Sequence, residues 1–194
     1  MIKGNLYDMK ISACYITKNE SANIAASIES IAASVDEIIV YDTGSEDDTC
    51  CIAEALPKVK LFRGAWCDDF AAARNAALSH ATGDWVVFLD ADERFSEATR
   101  GNLRTVLEKV EGFDALAVKI VNLDVDGEKE KRIDHTYVVR AFRRLPEIRY
   151  VGRIHEHIER EDGALRLGFI PEASLVLLHT GYTVSRAKGK AERN

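Results

Sequence analysis

The chain has 194 residues, a net charge of −6 at pH 7 and 46% hydrophobic residues. This length suits one domain with a sizeable core, and the composition is that of an ordinary globular protein. Acidic and basic residues are mixed along the chain up to a short basic tail, so the sequence lacks the clustered basic face that nucleic-acid binding requires.

The sequence also lacks the apolar segments that direct a chain to a membrane. No stretch approaches the roughly 18 apolar residues of a membrane span, and "MIKGNLYDMK" has no signal-peptide core. We expect a cytoplasmic protein, with a peripheral position at the inner face of the membrane as an alternative. The cysteines contain no CxxC pair and are predicted to be reduced thiols; they are Cys14, Cys50, Cys51 and Cys67.

Strands and helices alternate through the first 90 residues. "MKISACYI" predicts a strand, and a helix follows in "NESANIAASIESIAAS" with Asn19 or Ser21 as its cap. Two further helices and three further strands are predicted, in the order "DEIIVYDTGS", "SEDDTCCIAEAL", "KVKLFRG", "DDFAAARNAALSHA" and "DWVVFLD". This order predicts an α/β fold with a mostly parallel central sheet flanked by helices on both faces.

The pattern changes after residue 95. "SEATRGNLRTVLEKV" predicts a fourth helix, and "ASLVLLHTGY" predicts a short strand. Between them, two long strands are predicted around Asp126 and Gly127, because a DG pair between alternating apolar runs is typical of a hairpin. We expect one domain over residues 1–194, with a donor-binding half (1–95), a mixed acceptor half (96–183) and the start of a C-terminal extension (184–194).

Polar residues concentrate where the predicted parallel strands end. Those ends lie at residues 16–19, 42–45, 63–67 and 90–93. Ligands of open α/β sheets bind at the carboxyl ends of the strands, where the strand order reverses. The sequence therefore predicts a ligand site at this edge of the sheet.

Asp90 and Asp92 end the strand "VVFLD" two residues apart, so both can face one spot. Two close carboxylates destabilise each other unless a cation lies beside them. Mg²⁺ takes one or two protein carboxylates together with water and substrate phosphates, and Mn²⁺ accepts similar ligands. The pattern therefore predicts a divalent cation bridged to a diphosphate; a pair of solvated turn residues is the alternative.

Five segments in order carry a family resemblance: "ISACYITKNES", "IIVYDTGSEDDT", "DDFAAARNAAL", "GDWVVFLDADE" and "IHEHI". Together they resemble the family 2 glycosyltransferases of GT-A fold, in particular a bacterial subgroup with DTGSxD, ARN and LDADE motifs, over residues 9 to 182. The resemblance implies an inverting transfer of a hexose-like sugar from a UDP- or GDP-linked donor to a glycan, lipid or protein acceptor. Cell-envelope or other glycan biosynthesis would be the setting.

The resemblance assigns donor-binding residues position by position. They are Ile16, Thr17 and Lys18 for the base or ribose, Asp42 and Thr43 for the nucleoside, Asp69, Arg74 and Asn75 on a helix lining the site, and Asp90, Ala91 and Asp92 as the DxD motif. The metal ligands would be Asp92, Asp90 and a late His179, with Mn²⁺ or Mg²⁺ bound. Thr43 departs from the commoner "DDGS", which leaves the base preference open.

Several of these residues also have structural interpretations. Asp42 could be a turn residue without a ligand, Arg74 a surface salt-bridge partner, His179 a hydrogen-bonded strand end and Trp66 a core residue rather than a sugar platform.

An inverting transfer also requires a base that takes the acceptor proton. In "GRIHEHIE" we favour Glu156, with His155 as the other candidate for base or phosphate contact. Polar edge positions without a catalytic role are the alternative for this segment. A straight strand would point Glu156 away from its histidine neighbours, whereas a turn would not.

Other functions are compatible with parts of the pattern. An inactive nucleotide-sugar-binding module would keep the fold without turnover. A sugar nucleotidyltransferase would need a glycine-rich phosphate loop, which "YITKNES" lacks, and a dehalogenase-type phosphatase would carry its DxD motif on the first strand. The basic tail "VSRAKGKAERN" has no stop signal and is expected to lead into helical repeats.

Overall fold

The computed structural model describes residues 9–126, 129–171 and 174–180. The helices are α1 (Ile24–Ile31), α2 (Thr49–Glu54), α3 (Phe70–Ser79) and α4 (Asn102–Glu108). The strands are β1 (Ile11–Thr17), β2 (Glu37–Asp42), β3 (Val59–Arg63), β4 (Trp85–Phe88), β5 (Glu93–Phe95), β6 (Ala115–Asp126), β7 (Lys129–Arg143), β8 (Ile148–Val151), β9 (His157–Arg160), β10 (Leu167–Phe169) and β11 (Val176–His179). Within these ranges no helix combines the length and apolar character needed to cross a bilayer.

The first four strands form the parallel part of the sheet. β1 pairs in parallel with β2 on one side and with β4 on the other, and β2 pairs in parallel with β3. The chain therefore runs outward from β1 to β3 and returns to β4 across β1. The strand order reverses between β1 and β4, and a crevice for ligands opens at the carboxyl ends of such strands.

Most strands of the second half extend the same sheet, with β10 paired to β6, whereas β8 and β9 form a separate two-stranded sheet. β6 and β7 form the predicted hairpin, and β7 pairs antiparallel with β4. β11 pairs in parallel with β6 and antiparallel with β5, in a register that sets His179 opposite Glu93. The α/β fold with its mixed second half is thus confirmed, while Gly127 of the predicted hairpin turn lies outside the described residues.

The core lies on both faces of this sheet because its strands are apolar on both sides. On β1, Ala13 and Tyr15 join one buried cluster with α1, and Cys14 joins the other with α3. α1 contributes Ile24, Ile28 and Ile31, whose spacing follows the helical period, while α3 contributes small alanines.

Some local predictions were wrong. α1 begins at Ile24 with Asn23 as its N-cap residue, so neither Asn19 nor Ser21 caps it. The side chain of Asn19 instead accepts a hydrogen bond from the Glu46 amide at 2.8 Å. The predicted fourth helix is shorter, since a 3₁₀ turn (Glu97–Thr99) takes the place of its start and α4 begins only at Asn102.

Candidate active site

The carboxyl ends of β1, β2 and β4 open onto a cavity of about 480 Å³. This volume lies in the usual range of small-molecule sites. Most of the predicted site residues line it, namely Ile16, Thr17, Lys18, Thr43, Arg74, Asp90, Ala91, Asp92, Glu156 and His179. The cavity is also lined by Glu20, Trp66 and Phe70, and it places side chains from distant parts of the chain around one space.

Asp42 ends β2 and shapes the turn beside the cavity. Its carboxylate accepts hydrogen bonds from the backbone amides of Gly44 and Ser45, at 3.0 and 2.8 Å, and from the hydroxyls of Ser45 and Thr17. Asp42 is 2% exposed, and Gly44 has a φ of 111°, which favours glycine. Asp42 therefore holds Thr43 in place at the cavity wall, and its direct contact with a nucleoside stays a prediction.

The turn from Asp90 to Glu93 is closed by its own atoms. The Glu93 amide donates to the Asp90 carbonyl at 3.0 Å, and the Glu93 carboxylate accepts from the Asp90 amide at 3.1 Å. Thr180 pins the other side, because its amide donates to the Asp92 carbonyl at 3.0 Å. The turn thus presents Asp92 to the cavity from a rigid backbone.

Two buried arginines join the acidic residues of the site into one chain of alternating charge. Arg74 donates through Nε to Glu156 at 2.7 Å and through Nη2 to Asp90 at 2.9 Å. Arg140 donates through Nη2 to the other Asp90 oxygen at 2.6 Å and to Glu93 at 2.5 Å. The order Glu93, Arg140, Asp90, Arg74, Glu156 is called the acid–arginine chain below.

This chain sets the ionisation of its members. Burial alone would raise the pKa of Asp90, but the charges of Arg140 and Arg74 outweigh it and hold this pKa well below its usual range. Burial raises the pKa of Glu93, and the charge of Arg140 does not fully offset it. Asp90 is therefore a fixed anion whose two oxygens are both engaged by guanidinium groups.

Arg74 is also held by aromatic rings. Its guanidinium carbon lies 5.4 Å from the Phe88 ring centre and 5.5 Å from that of Tyr150, a cation–π arrangement. Arg74 is 6% exposed and lines the cavity, which excludes the surface salt-bridge interpretation. Its Nη1 is buried and has no hydrogen-bond partner among the described residues.

Asp92 and His179 meet across the cavity edge. The Asp92 Oδ2 and His179 Nε2 atoms are 3.4 Å apart, and this contact raises the pKa of His179. His179 Nδ1 donates to the Asn122 side-chain oxygen at 2.8 Å, which orients the ring so that Nε2 faces Asp92. A cation could bind both atoms, since second-shell partners of this kind orient metal-ligating histidines.

The side chains around the cavity could supply some of the ligands of a divalent cation, but not a complete coordination shell. Among the described residues, no three His, Cys, Asp or Glu side chains converge on one point, so the protein would supply only part of a coordination shell. Mg²⁺ and Mn²⁺ sites in phosphoryl-binding proteins are commonly completed by water and substrate phosphates. Asp92 and His179 fit such a site, whereas each oxygen of Asp90 already accepts from an arginine, and its role as a metal ligand stays a prediction.

Glu156 reaches the cavity because the segment before it bends. Residues 153–155 form a bend, and β9 begins at His157, so the segment is not a straight strand. His155 has a φ of 59° and is exposed outside the cavity, whereas Glu156 lines it. The two candidates for the base are thus separated, and the geometry favours Glu156.

Two predicted site residues serve the framework in this structure. Asp69 caps α3 by accepting from the Ala72 amide at 2.8 Å. Asn75 exchanges two hydrogen bonds with the backbone of Tyr150, at 2.8 and 2.9 Å, and so fastens α3 to β8. Neither lines the cavity, and their contact with a donor stays a prediction.

Sequence reasoning missed Arg140 and Asn122. Arg140 is the single cation in the apolar run "TYVVRAF", where the alternating pattern is also that of a solvent-facing position. Its partners lie about 50 residues earlier in the chain. Trp66, in contrast, was considered, and it lies half-buried at the cavity with its ring centre 4.8 Å from that of Phe70.

A reversal of strand order with a cavity at its carboxyl edge is the place where open α/β sheets bind their ligands. The sequence comparison specifies the family: the model of glycosyl transferase family 2 matches residues 12–167, and the chain belongs to this family.

Two curated relatives match almost the whole chain. A TPR repeat-containing protein of Synechococcus elongatus is 34% identical over 193 residues, which cover 95% of this chain and 46% of the relative. Glycosyltransferase SunS of Bacillus subtilis is 31% identical over 189 residues, which cover 95% of this chain and 43% of the relative. The chain thus spans less than half the length of either relative.

Solved structures share the fold. A mannosyltransferase of Pyrobaculum calidifontis, solved with GDP-Man and Mn²⁺, has a TM-score of 0.65 at 19% identity, covering 95% of this chain and 61% of that one. S. aureus TarS in complex with UDP has a TM-score of 0.52 at 26% identity, covering 62% of this chain and 38% of that one.

Proposed function

We propose that this protein transfers a sugar from a nucleotide-diphosphate donor to an acceptor by a metal-dependent, inverting displacement. The observation that carries the proposal is the arrangement around one cavity of the Asp92–His179 pair, Arg74 and Glu156. Arg74, and a cation held by Asp92 and His179, would suit a diphosphate, and Glu156 would suit the acceptor proton. Membership of glycosyl transferase family 2 supports the reaction class.

Asp92 and His179 would hold the cation, which supplies positive charge to the departing diphosphate. An imidazole ligand suits Mn²⁺ better than Mg²⁺, which prefers oxygen. Arg74 carries a buried donor without a partner among the described residues, and it would contact the diphosphate as well. Asp90 would keep Arg74 in position rather than bind the metal directly.

The nucleoside would lie against Ile16, Thr17, Lys18 and Thr43, which line the same cavity at the ends of β1 and β2. UDP is the nucleotide we favour, because TarS was solved with it and is 26% identical over the matched part. GDP is the alternative, since the mannosyltransferase with GDP-Man shares the fold.

Glu156 would act as the base. It would take the proton of the acceptor group while that group forms a bond to the anomeric carbon, on the face opposite the diphosphate, and the bond from carbon to diphosphate oxygen breaks. One displacement of this kind inverts the anomeric configuration. Preorganised cations that meet the developing diphosphate charge supply much of the stabilisation.

Two alternative functions would use the same site. An inactive binding module would bind the nucleotide without turnover, and a sugar nucleotidyltransferase would join a nucleotide to a sugar phosphate. The acceptor could be a glycan, a lipid or a protein. A cytoplasmic location and a longer protein with helical repeats also stay proposals; the name of the Synechococcus relative supports the repeats.

The first test is a calorimetric titration with UDP and with GDP, each in Mn²⁺ and in EDTA, on the wild type and on Asp92→Ala. We expect metal-dependent binding of one nucleotide and its loss in Asp92→Ala, because the variant removes a carboxylate ligand. Asp162→Ala is the matched control, since Asp162 is exposed and contacts Arg160 on β9.

A folded wild-type protein that binds neither nucleotide would overturn the donor site. Binding without release of nucleoside diphosphate from any sugar nucleotide would favour the inactive module. Release of pyrophosphate from a nucleoside triphosphate and a sugar phosphate would favour the nucleotidyltransferase.

A further inference from the structure

We infer that Arg140 is a positioning residue, which lies behind the cavity wall, holds the Asp90 and Glu93 carboxylates together and so fixes the turn that aims Asp92 at His179. The inference rests on the proposed function, because it takes Asp92 and His179 as the metal ligands. Arg140 does not line the cavity, so it would act entirely through the residues that it holds.

The geometry shows one donor shared between two acids. Arg140 Nη2 lies 2.6 Å from an Asp90 oxygen and 2.5 Å from a Glu93 oxygen. Arg140 is 7% exposed and Glu93 is 3% exposed, whereas the Asp90 side chain is 37% exposed at the cavity, so water reaches this cluster only from the side of Asp90. Without the guanidinium, the two carboxylates at the ends of the same turn would repel each other, and water would screen them only in part.

The position of Asp92 depends on the turn from Asp90 to Glu93 staying closed. Glu93 also accepts the Asp90 amide at 3.1 Å, and the Ser27 hydroxyl of α1 donates to the Glu93 carbonyl at 2.5 Å. Between these anchors lie Ala91 and Asp92, whose carboxylate reaches to 3.4 Å from His179. A movement of the Asp90 or Glu93 carboxylate would therefore be transmitted to the position of Asp92.

Arg140 is poorly satisfied for a purely structural residue. Its Nε is buried and has no hydrogen-bond partner among the described residues. Buried ion pairs add little net stability compared with apolar residues of similar volume, and an unpartnered buried donor opposes folding further. A cation in this position is better explained by the geometry it imposes on the two acids than by stability.

The experiment compares Arg140→Gln, the double variant Arg140→Gln with Glu93→Gln, and Arg143→Gln. The single variant leaves two buried acids with one cation fewer and is expected to lose stability. The double variant removes one charge of each sign and keeps an oxygen at position 93 for the Asp90 amide. Arg143 is the matched control, because it lies on the same strand but stacks on Trp85 at 4.7 Å.

The readouts are circular dichroism and melting temperature for folding, electron paramagnetic resonance of free Mn²⁺, and calorimetric titration with UDP and GDP in Mn²⁺ and in EDTA. In the folded double variant we expect Mn²⁺-dependent affinity to fall by about tenfold or more, as for other second-shell changes. Nucleotide affinity in EDTA should match that of Arg143→Gln. A general loss of structure would lower both affinities alike.

Each of the other outcomes tests the inference, the proposed function or both. A double variant with the Mn²⁺-dependent affinity of Arg143→Gln would overturn the inference, and so would one that does not fold, because the pair would then serve the fold itself. A wild type that binds Mn²⁺ but neither nucleotide overturns the proposed function, and the Mn²⁺ affinities alone then decide the role of Arg140. A wild type that binds no Mn²⁺, with or without nucleotide, overturns both.

Discussion

Arg74 gives one guanidinium two neighbours with different proposed tasks. Asp90 belongs to the turn that carries Asp92, and Glu156 is the proposed base. The same side chain would therefore fix the distance between the diphosphate and the acceptor proton. A rigid planar group held by two rings is suited to this task, because it loses little further freedom when a ligand binds.

Replacement of Glu156 by Gln should separate binding from turnover. The amide oxygen can still accept from Arg74, so donor affinity should change little, but the side chain can no longer take a proton. We expect the rate to fall by about 10² to 10⁴-fold. Calorimetry would measure the affinity, and release of nucleoside diphosphate would measure turnover.

Glu159→Gln provides the control, since this exposed residue on β9 forms an ion pair with the exposed His157 at 3.1 Å. Unchanged turnover in Glu156→Gln would show that another group accepts the proton.

At the scale of single residues, the sequence identified candidate site residues where they directly follow an apolar strand. Asp90, Asp92 and His179 could be found because an apolar strand leads directly to each of them. Arg140 and Asn122 could not, since each lies within a long strand and gains its meaning from a partner that is distant in the chain. Only the register of β7 and β11 in the sheet brings these partners together.

At the scale of the elements, one carboxylate joins the amino ends of neighbouring strands. Glu37 at the start of β2 accepts from Ser12 of β1 at 2.6 Å, from the Thr82 amide at 2.6 Å and from Lys60 of β3 at 2.7 Å. Burial opposes its ionisation, but these donors outweigh burial and lower the pKa of Glu37 to about 2. Three strands are thus tied by one carboxylate.

Glu37 should therefore make stability depend on pH. Because its pKa is lower in the folded state, its contribution is complete above the unfolded value of about 4.3 and is lost as pH falls toward 2. Compared with Glu37→Gln, the wild type should be more stable by about 2–3 kcal/mol at pH 7. Urea unfolding at pH 7, 4 and 3 measures this difference in stability, which should become smaller as the pH falls.

A difference between the two proteins that stays constant over this pH range would contradict the assignment. Glu54→Gln serves as a control, because Glu54 ends α2 and is exposed.

The elements with a clear apolar period or turn signal could be predicted from sequence, and those without one could not. β1 to β4, three of the helices and the β6–β7 hairpin follow from period and turn chemistry. β5, β8, β9 and β10 have three or four residues each and carry charged or exposed positions, so no apolar pattern marks them. β8 and β9 pair with each other in a separate two-stranded sheet, whereas β5 pairs with β11 and β10 with β6. These partners are distant in the chain or are themselves short, so the sequence of each strand does not reveal them.

Across the whole molecule, the cavity gathers segments that are far apart in the chain. The ends of β1 and β2, the turn after β4, the bend before β9 and the end of β11 all reach it. A ligand that contacts these segments together binds only the folded chain. Its binding free energy therefore adds to the stability of the entire fold.

Mn²⁺ with the preferred nucleotide should raise the melting temperature. At a free ligand concentration of about 100 Kd the added stability is about 2.7 kcal/mol, which corresponds to about 5–10 °C for a chain of this size. Scanning calorimetry with and without EDTA measures the metal-dependent part. Asp92→Ala should lose that part, and an equal shift in EDTA would argue against a metal at Asp92.

The acid–arginine chain also restricts how this sequence can diverge. Each of its inner members neutralises two neighbours, so the loss of one charge leaves an uncompensated partner in the interior. A lineage that loses Arg140 would have to lose an acid at position 93 or 90 as well. Positions 93 and 140 should therefore change together among relatives. Such paired substitutions would mark descent from a protein with this site, which neither position shows by itself.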